Sequence, residues 1–175
     1  MDTKNYEAFL AEIGSYLDKD QVYTDELRTL GWGTDAGFYR LIPKVVVRAR
    51  DEEDVSRIVR ACHKHKLPFT FRAAGTSLSG QSVSDSVLIV AGKHWEKYEI
   101  SDDRNSIRLQ PGIVGSQVNR VLKPYGRVFP PDPASIGSAM VGGIVCNNAS
   151  GMNCGVHANS DRMLISARII LPDGT

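Results

Sequence analysis

The residue types best suited to chemistry lie in two glycine-rich stretches. The first reads Arg72-Ala73-Ala74-Gly75-Thr76-Ser77-Leu78-Ser79-Gly80-Gln81-Ser82. Successive backbone N–H groups in such a segment can converge on one concavity, a nest that suits phosphate oxygens. Glycine permits positive φ and brings a ligand close to the backbone. Thr76, Ser77, Ser79 and Ser82 add hydroxyl donors. No lysine is present, so an anion held here is neutralised mainly by backbone dipoles. Gly75 to Ser82 also has the glycine spacing of a Walker A loop, but Gln81 stands where the phosphate-reaching lysine belongs. Such a loop opens a helix, whereas Val83 to Val90 reads as a strand, so a nucleoside triphosphatase is disfavoured on both counts. The plain alternative is a flexible surface loop.

The second stretch begins at Pro130-Pro131-Asp132-Pro133 and runs from Ser135 to Gly155. Gly137, Gly142, Gly143, Gly151 and Gly155 sit among Ala139, Ala149 and Ser150, which lets a flat ligand or another backbone come very close. Asn147, Asn148 and Asn153 offer donors and acceptors suited to the edge of a heteroaromatic ring. A short helix starting near Ser138 is expected to turn its N-terminus toward an anion. The alternative is a tightly packed helix–loop crossing with no ligand.

Other tempting residues carry less. His63 and His65 are two apart on an expected helix and do not face each other, so they read as surface histidines rather than metal ligands. Cys154 and His157 lack a second pair at finger spacing. Cys62 falls on an apolar helical stripe and reads as core. There is no Gly-x-Ser-x-Gly signature of a serine hydrolase. Trp32 and Trp95 are not interleaved with basic residues, which argues against a nucleic-acid platform.

The elements that must position these stretches follow from periodicity. Tyr6, Phe9, Leu10, Ile13 and Leu17 predict an amphipathic helix over 5–17, and residues 29–40 read as loop. Val45-Val46-Val47 predicts a buried strand. Asp51 is expected to cap a helix whose stripe is Val55, Ile58, Val59 and Cys62. Strands are expected at 69–72 and 87–90, so the order strand–helix–strand–loop–strand favours a small parallel sheet. A hairpin is expected around Asp102-Asp103-Arg104-Asn105, then a helix along Val114, Val118, Val121 and Leu122, and a last strand at 167–171. With 175 residues, 21 Lys plus Arg against 20 Asp plus Glu, and a formal charge of +1, the chain has no global cationic field for nucleic acid or anionic lipid. No apolar run reaches a membrane span, and the first ten residues lack the pattern of a signal peptide. Three widely spaced cysteines argue for a reducing compartment, hence a cytoplasmic location.

Taken together and in this order, the two stretches resemble the amino-terminal half of the FAD-binding domain of the vanillyl-alcohol oxidase, or p-cresol methylhydroxylase, type. The likeness is greatest to its glycolate oxidase and D-lactate dehydrogenase branch. It runs from about Pro43 to Thr175 and rests on Pro43-Lys44-Val45-Val46-Val47, the whole of Arg72 to Ser82, Pro131-Asp132-Pro133, Gly142 to Gly151, and Leu171-Pro172-Asp173-Gly174. The resemblance implies an α+β fold of two lobes with FAD between them. It divides the chain into a helical lead-in (1–42), a first lobe (43–97) and the start of a second lobe (98–175), truncated before its end. We therefore expect an amino-terminal piece of a longer protein.

On the same resemblance, Ala73, Ala74, Gly75, Thr76, Ser77, Gln81 and Ser82 cradle the pyrophosphate. Pro131, Ser138, Met140, Gly142, Gly143, Asn147, Ser150, Gly151 and Gly155 line the ribityl chain and flavin. Some members attach FAD through a histidine in the first loop. Threonine at position 76 cannot form that bond, so non-covalent FAD is expected. The implied reaction is oxidation of a 2-hydroxyacid by hydride transfer to flavin, with electrons passing to a separate acceptor. The substrate-binding residues of the family come mainly from the part that would follow, so no catalytic residue is assigned here and the chain alone is not expected to turn over substrate. Ser150 to Gly155 is similar to long members that carry a downstream iron–sulfur segment. Two alternatives stay open: a reductase of the same fold in which NADPH reduces the flavin, and a non-catalytic binding module.

Overall fold

In the computed structural model, residues 3–175 are described. They form two compact units. The first comprises the chain up to Arg72, Ser77–Ala91 and Arg168–Thr175; the second comprises Ala73–Thr76 and Gly92–Ala167.

The first unit is built on a four-stranded sheet of order β1-β2-β4-β3, with β1 Val22–Tyr23, β2 Val45–Arg48, β3 Phe69–Arg72 and β4 Val87–Val90. β4 lies between β2 and β3 and pairs in parallel with both, Val87 facing Val45 on one side and Phe69 on the other. This is the expected parallel sheet. Its central strand, Val-Leu-Ile-Val, is buried at every position, the pattern of a parallel strand covered on both faces. Val46, Leu88 and Val90 cluster with Tyr23 and Trp32 on one face. Each such side chain taken out of water contributes about 1.5–3 kcal/mol.

Helix α1 (Thr3–Ile13) packs on α3 (Glu52–Lys64). Phe9 and Ile13 from α1, and Ile58, Val59 and Cys62 from α3, are buried, so the predicted stripes face inward, although the helix expected over 5–17 ends at Ile13 and leaves the buried Leu17 beyond it. Asp51 caps α3 as expected, its Oδ1 accepting from the Asp54 N–H at 2.9 Å. Two short elements were not foreseen. β1 adds antiparallel to β2, and α2 (Glu26–Gly31) occupies part of the stretch read as loop. Both are too short to show a period.

His65 also departs from expectation. It caps the carboxyl end of α3, and its Nε2 lies 2.8 Å from Glu12 Oε2. It is half-buried edge-on to Phe9 rather than solvated.

The second unit holds a hairpin of β5 (Tyr98–Ile100) and β6 (Ile107–Leu109). Its turn places Arg104 at φ +57°, with Asp103 accepting from the Asn105 N–H. Helix α4 (Gly115–Leu122), α5 (Val141–Cys146) and α6 (Ser160–Met163) follow. Ile113, Val118, Leu122 and Val141 form the core, with Ile100, Ile107 and Leu109 packed on it.

The predicted strand at 167–171 does not form. Residues 164–170 carry no assigned element, because a strand exists only with a ladder partner and the described residues supply none. The chain instead returns to α3. Arg168 pairs with Glu52 at 2.6 Å, and the Gly174 carbonyl accepts from Ser56 Oγ and Arg60 Nη2. Among the described residues, no helix is long and apolar enough to cross a membrane.

Candidate functional site

The first glycine stretch leaves β3 at Arg72 and returns to the sheet at β4. Residues 73–77 are half-buried. Gly75 has φ +73° and Gly80 has φ +70°, conformations that favour glycine. Among the described residues, the N–H groups of Ala73, Ala74, Gly75, Thr76, Ser77 and Leu78 donate to no protein acceptor. Partly buried backbone donors in a run without acceptors are a natural seat for an anion. Beyond them the loop is internally tied. Ser77 Oγ donates to Gln81 Oε1 at 2.8 Å, and Ser79 N–H donates to Ser77 Oγ at 3.1 Å. Ser82 is buried, with its Oγ 3.5 Å from Asp35 Oδ2.

Arg72 sits at the root of this loop. Its Nη1 donates to the Thr34 carbonyl at 2.6 Å and approaches the Trp32 and Ser82 carbonyls at 3.4 and 3.5 Å. The guanidinium lies 5.2 Å from the Trp32 ring centroid. Burial pulls its pKa down and the Asp35 carboxylate pushes back. Its buried Nε has no partner among the described residues. Asp35 falls in the 29–40 stretch that reads as loop, and Arg72 stands only as the first residue of the glycine stretch, so neither is among the site residues expected from the sequence. The available signal was Asp35 two residues before Gly37, an Asx-turn spacing; Gly37 N–H indeed donates to Asp35 Oδ1 at 2.8 Å.

The second stretch lies within the second unit and divides into two kinds of glycine. A Cβ on Gly142 would stand 2.7 Å from Pro111 Cβ, and one on Gly151 would collide with the Asp132 carbonyl. These two are packing positions. Gly137, Gly143 and Gly155 have nothing within 4 Å of where a Cβ would stand, leaving room beside them.

The expected anion-facing helix end is corrected. Ser138 belongs to a turn, its N–H donating to Ser135 O. The helix begins only at Val141, where Met140 is the cap. The N–H groups of Val141 and Gly142 are taken by the Ile113 and Pro111 carbonyls.

The three asparagine amides are also engaged. Asn147 Nδ2 donates to Gly143 O, Asn148 Oδ1 accepts from Asp161 N–H, and Asn153 Nδ2 donates to Asp132 at 2.6 Å. Pro131 is buried, while Asn147, Ser150 and Gly155 are exposed. A depression of about 370 Å³ is lined by Asp132, Ile136, Ser150, Gly151, Met152 and Asn153. The structure thus brings Ser150 and Gly151 together with Pro131's neighbours, and places Met140, Gly142 and Gly143 around the start of α5.

Cys62 is buried in the core, which pushes its thiol up to about 12. Cys154 is buried in a local turn, its Sγ accepting from Gly151 N–H at 3.0 Å. Among the described residues, no three His, Cys, Asp or Glu side chains gather as a metal site.

A family model for the FAD binding domain matches residues 43–175. The chain belongs to this FAD binding domain family. The match begins at the residue where the sequence resemblance begins. Among curated relatives, the D-2-hydroxyglutarate dehydrogenase of Escherichia coli K12 is 29% identical over 97% of this chain and 17% of its own length. The glycolate oxidase subunit GlcD of the same organism is 30% identical over 78% of this chain and 28% of its own. The mitochondrial D-lactate dehydrogenase [cytochrome] 1 of Saccharomyces cerevisiae is 28% identical over 76% and 23%. The chain therefore spans about a sixth to a quarter of these relatives.

Solved structures share the architecture. An alkyldihydroxyacetonephosphate synthase superposes with a TM-score of 0.82 at 20% identity, over 94% of this chain and 34% of that one. Substrate-bound p-cresol methylhydroxylase superposes with a TM-score of 0.63 at 16% identity, over 72% and 26%. The fold of this FAD binding domain is the α+β architecture of the p-cresol methylhydroxylase type.

Proposed function

We propose that the chain binds FAD without a covalent bond and that the protein it serves oxidises a 2-hydroxyacid of the D-2-hydroxyglutarate, glycolate or D-lactate kind. The observation that carries this is the run of unengaged N–H groups from Ala73 to Leu78 around a positive-φ glycine, in a chain of the FAD binding domain family. In this reading Ala73, Ala74, Gly75, Thr76 and Ser77 present their N–H groups to the pyrophosphate, and Gln81 and Ser82 close the loop behind them. By position in the chain the loop falls in the first lobe, 43–97, although Ala73–Thr76 group with the second compact unit; the second lobe, from 98 onward, carries the flavin-facing stretch. There, Pro131, Ser138, Met140, Gly143, Asn147, Ser150 and Gly155 border the ribityl chain and flavin. Gly142 and Gly151 shape that stretch by close packing against Pro111 and Asp132.

When bound, FAD supplies the hydride acceptor that no amino-acid side chain provides. The chain's own work is to hold, orient and desolvate it. No residue here is assigned to proton transfer, and the loop contains no histidine for covalent attachment.

The test is the product of the intact reading frame, loaded with FAD and mixed without oxygen with D-2-hydroxyglutarate, D-lactate or glycolate in turn. Loss of the band at about 450 nm with one of them supports the reading. Loss with NADPH and none of the hydroxyacids replaces it by a reductase of the same fold. Acid precipitation is expected to release the flavin into the supernatant; flavin that stays with the pellet contradicts non-covalent binding.

A further inference from the structure

A strap of the first unit, residues 34–40, lies against the 77–82 half of the first glycine loop. It is closed on itself by a bridge between Thr34 and Arg40 and by the Asp35–Gly37 turn. Three contacts tie it to the loop. Gly37 presses on the Leu78 backbone, where a Cβ would come within 2.9 Å of the carbonyl oxygen. The Tyr39 ring covers Gly80, 3.1 Å from where a Cβ would stand. Asp35 faces Ser82 Oγ. Behind both, the Arg72 guanidinium joins the root of the loop to its end at Ser82 and to the strap at Thr34.

None of these side chains is needed to complete the sheet. Arg72 is moreover an expensive brace, half-buried with an unpartnered Nε, where an apolar side chain of similar length would pack without that cost. It is also the one cation between residues 72 and 82.

We propose that Arg72, Asp35 and Tyr39 are positioning residues for the pyrophosphate of FAD: they hold the 77–82 half of the loop, which carries the unengaged Ser77 and Leu78 N–H groups and closes behind the rest of that run, so that the loop is ordered before the ligand arrives. This rests on the FAD reading above. Pre-ordering raises affinity by removing the entropy a slack loop would lose on binding. The strap therefore contributes to ligand affinity more than to folding, and only to the phosphate-bearing half of the ligand.

The experiment compares wild type, Arg72→Lys, Asp35→Asn and Tyr39→Leu for affinity toward FAD and toward ADP, which carries the diphosphate but no flavin, alongside thermal unfolding. Each variant is expected to weaken FAD and ADP by the same factor, about tenfold for Arg72→Lys and Asp35→Asn and less for Tyr39→Leu. Arg72→Lys keeps the charge yet is not expected to rescue, since an ammonium cannot reproduce the planar fork over Trp32. Variants that bind ADP as wild type does overturn the proposal, as does an FAD loss without an ADP loss. Should the half-buried Arg72 and Asp35 variants unfold, the exposed Tyr39→Leu decides alone. A wild-type protein that binds neither ligand overturns the FAD reading itself, a separate outcome.

Discussion

The two glycine-rich stretches look alike in sequence and are built differently. In the first, glycine serves the backbone: Gly75 and Gly80 take positive φ, and the surrounding N–H groups stay unengaged. In the second, apart from Gly155 at φ +53°, glycine serves proximity, and not all of it toward the same object. Gly142 and Gly151 make room for Pro111 and Asp132, whereas Gly143 and Gly155 face open space. A missing Cβ records that something comes close; only the neighbours say whether it is the protein itself or a ligand.

The sharpest way to break this contrast is to add the missing Cβ. Gly151→Ala drives a methyl into the Asp132 carbonyl and is expected to destabilise the chain by about 3 kcal/mol, read from urea denaturation. A stability change within error would show that the loop relaxes and that Gly151 is not a packing position. Gly80→Ala comes next. It combines left-handed backbone with contact against Tyr39 and is expected to cost about 1–2 kcal/mol, with weaker ADP binding if the loop shape matters.

Gly143→Ala should move in the opposite sense. In an open position inside α5, alanine is the better helix former and adds about 0.5–1 kcal/mol of stability. The added methyl enters the space we assign to the flavin, so FAD affinity should fall while ADP affinity holds. A variant that is more stable and binds FAD unchanged would remove Gly143 from the site.

The smallest effect lies outside both stretches and serves as their control. The Lys64 ammonium, and then His65, hold the Glu12 carboxyl below its ordinary value of 4.5. A lowered carboxyl stabilises the fold above that ordinary value, and the contribution is lost as pH falls through the folded-state value. Glu12→Gln should therefore cost at most about 1 kcal/mol at neutral pH, and the difference from wild type should shrink as pH falls below the ordinary carboxyl value of 4.5. FAD affinity at neutral pH should not change.

The contrast also marks what a sequence can carry. The parallel strands were legible because Val45 to Val47 and Val87 to Val90 are apolar runs rich in β-branched residues and bounded by turn residues. The α3 stripe and its Asp51 cap were legible because their signals are local. The strand expected at 167–171 was not realised, since its existence depends on a partner rather than on its own apolar residues. β1 and α2 span 2 and 6 residues, too few for a period to emerge. At the site, the loop was visible as a glycine cluster. The strap that braces it was not, because Arg72 meets Thr34 and Ser82 meets Asp35 across 38 and 47 positions. Nor could spacing distinguish Gly142 from Gly143, which are adjacent in the chain and opposite in environment.

The account stands or falls on whether the loop from Ala73 to Ser82 holds FAD. The most direct measurement is to add FAD to the purified product of the intact reading frame, remove the excess by gel filtration and record the visible spectrum. Bands at about 370 and 450 nm that travel with the protein, and that are displaced by excess ADP, are the predicted result. A colourless protein after this treatment would contradict it.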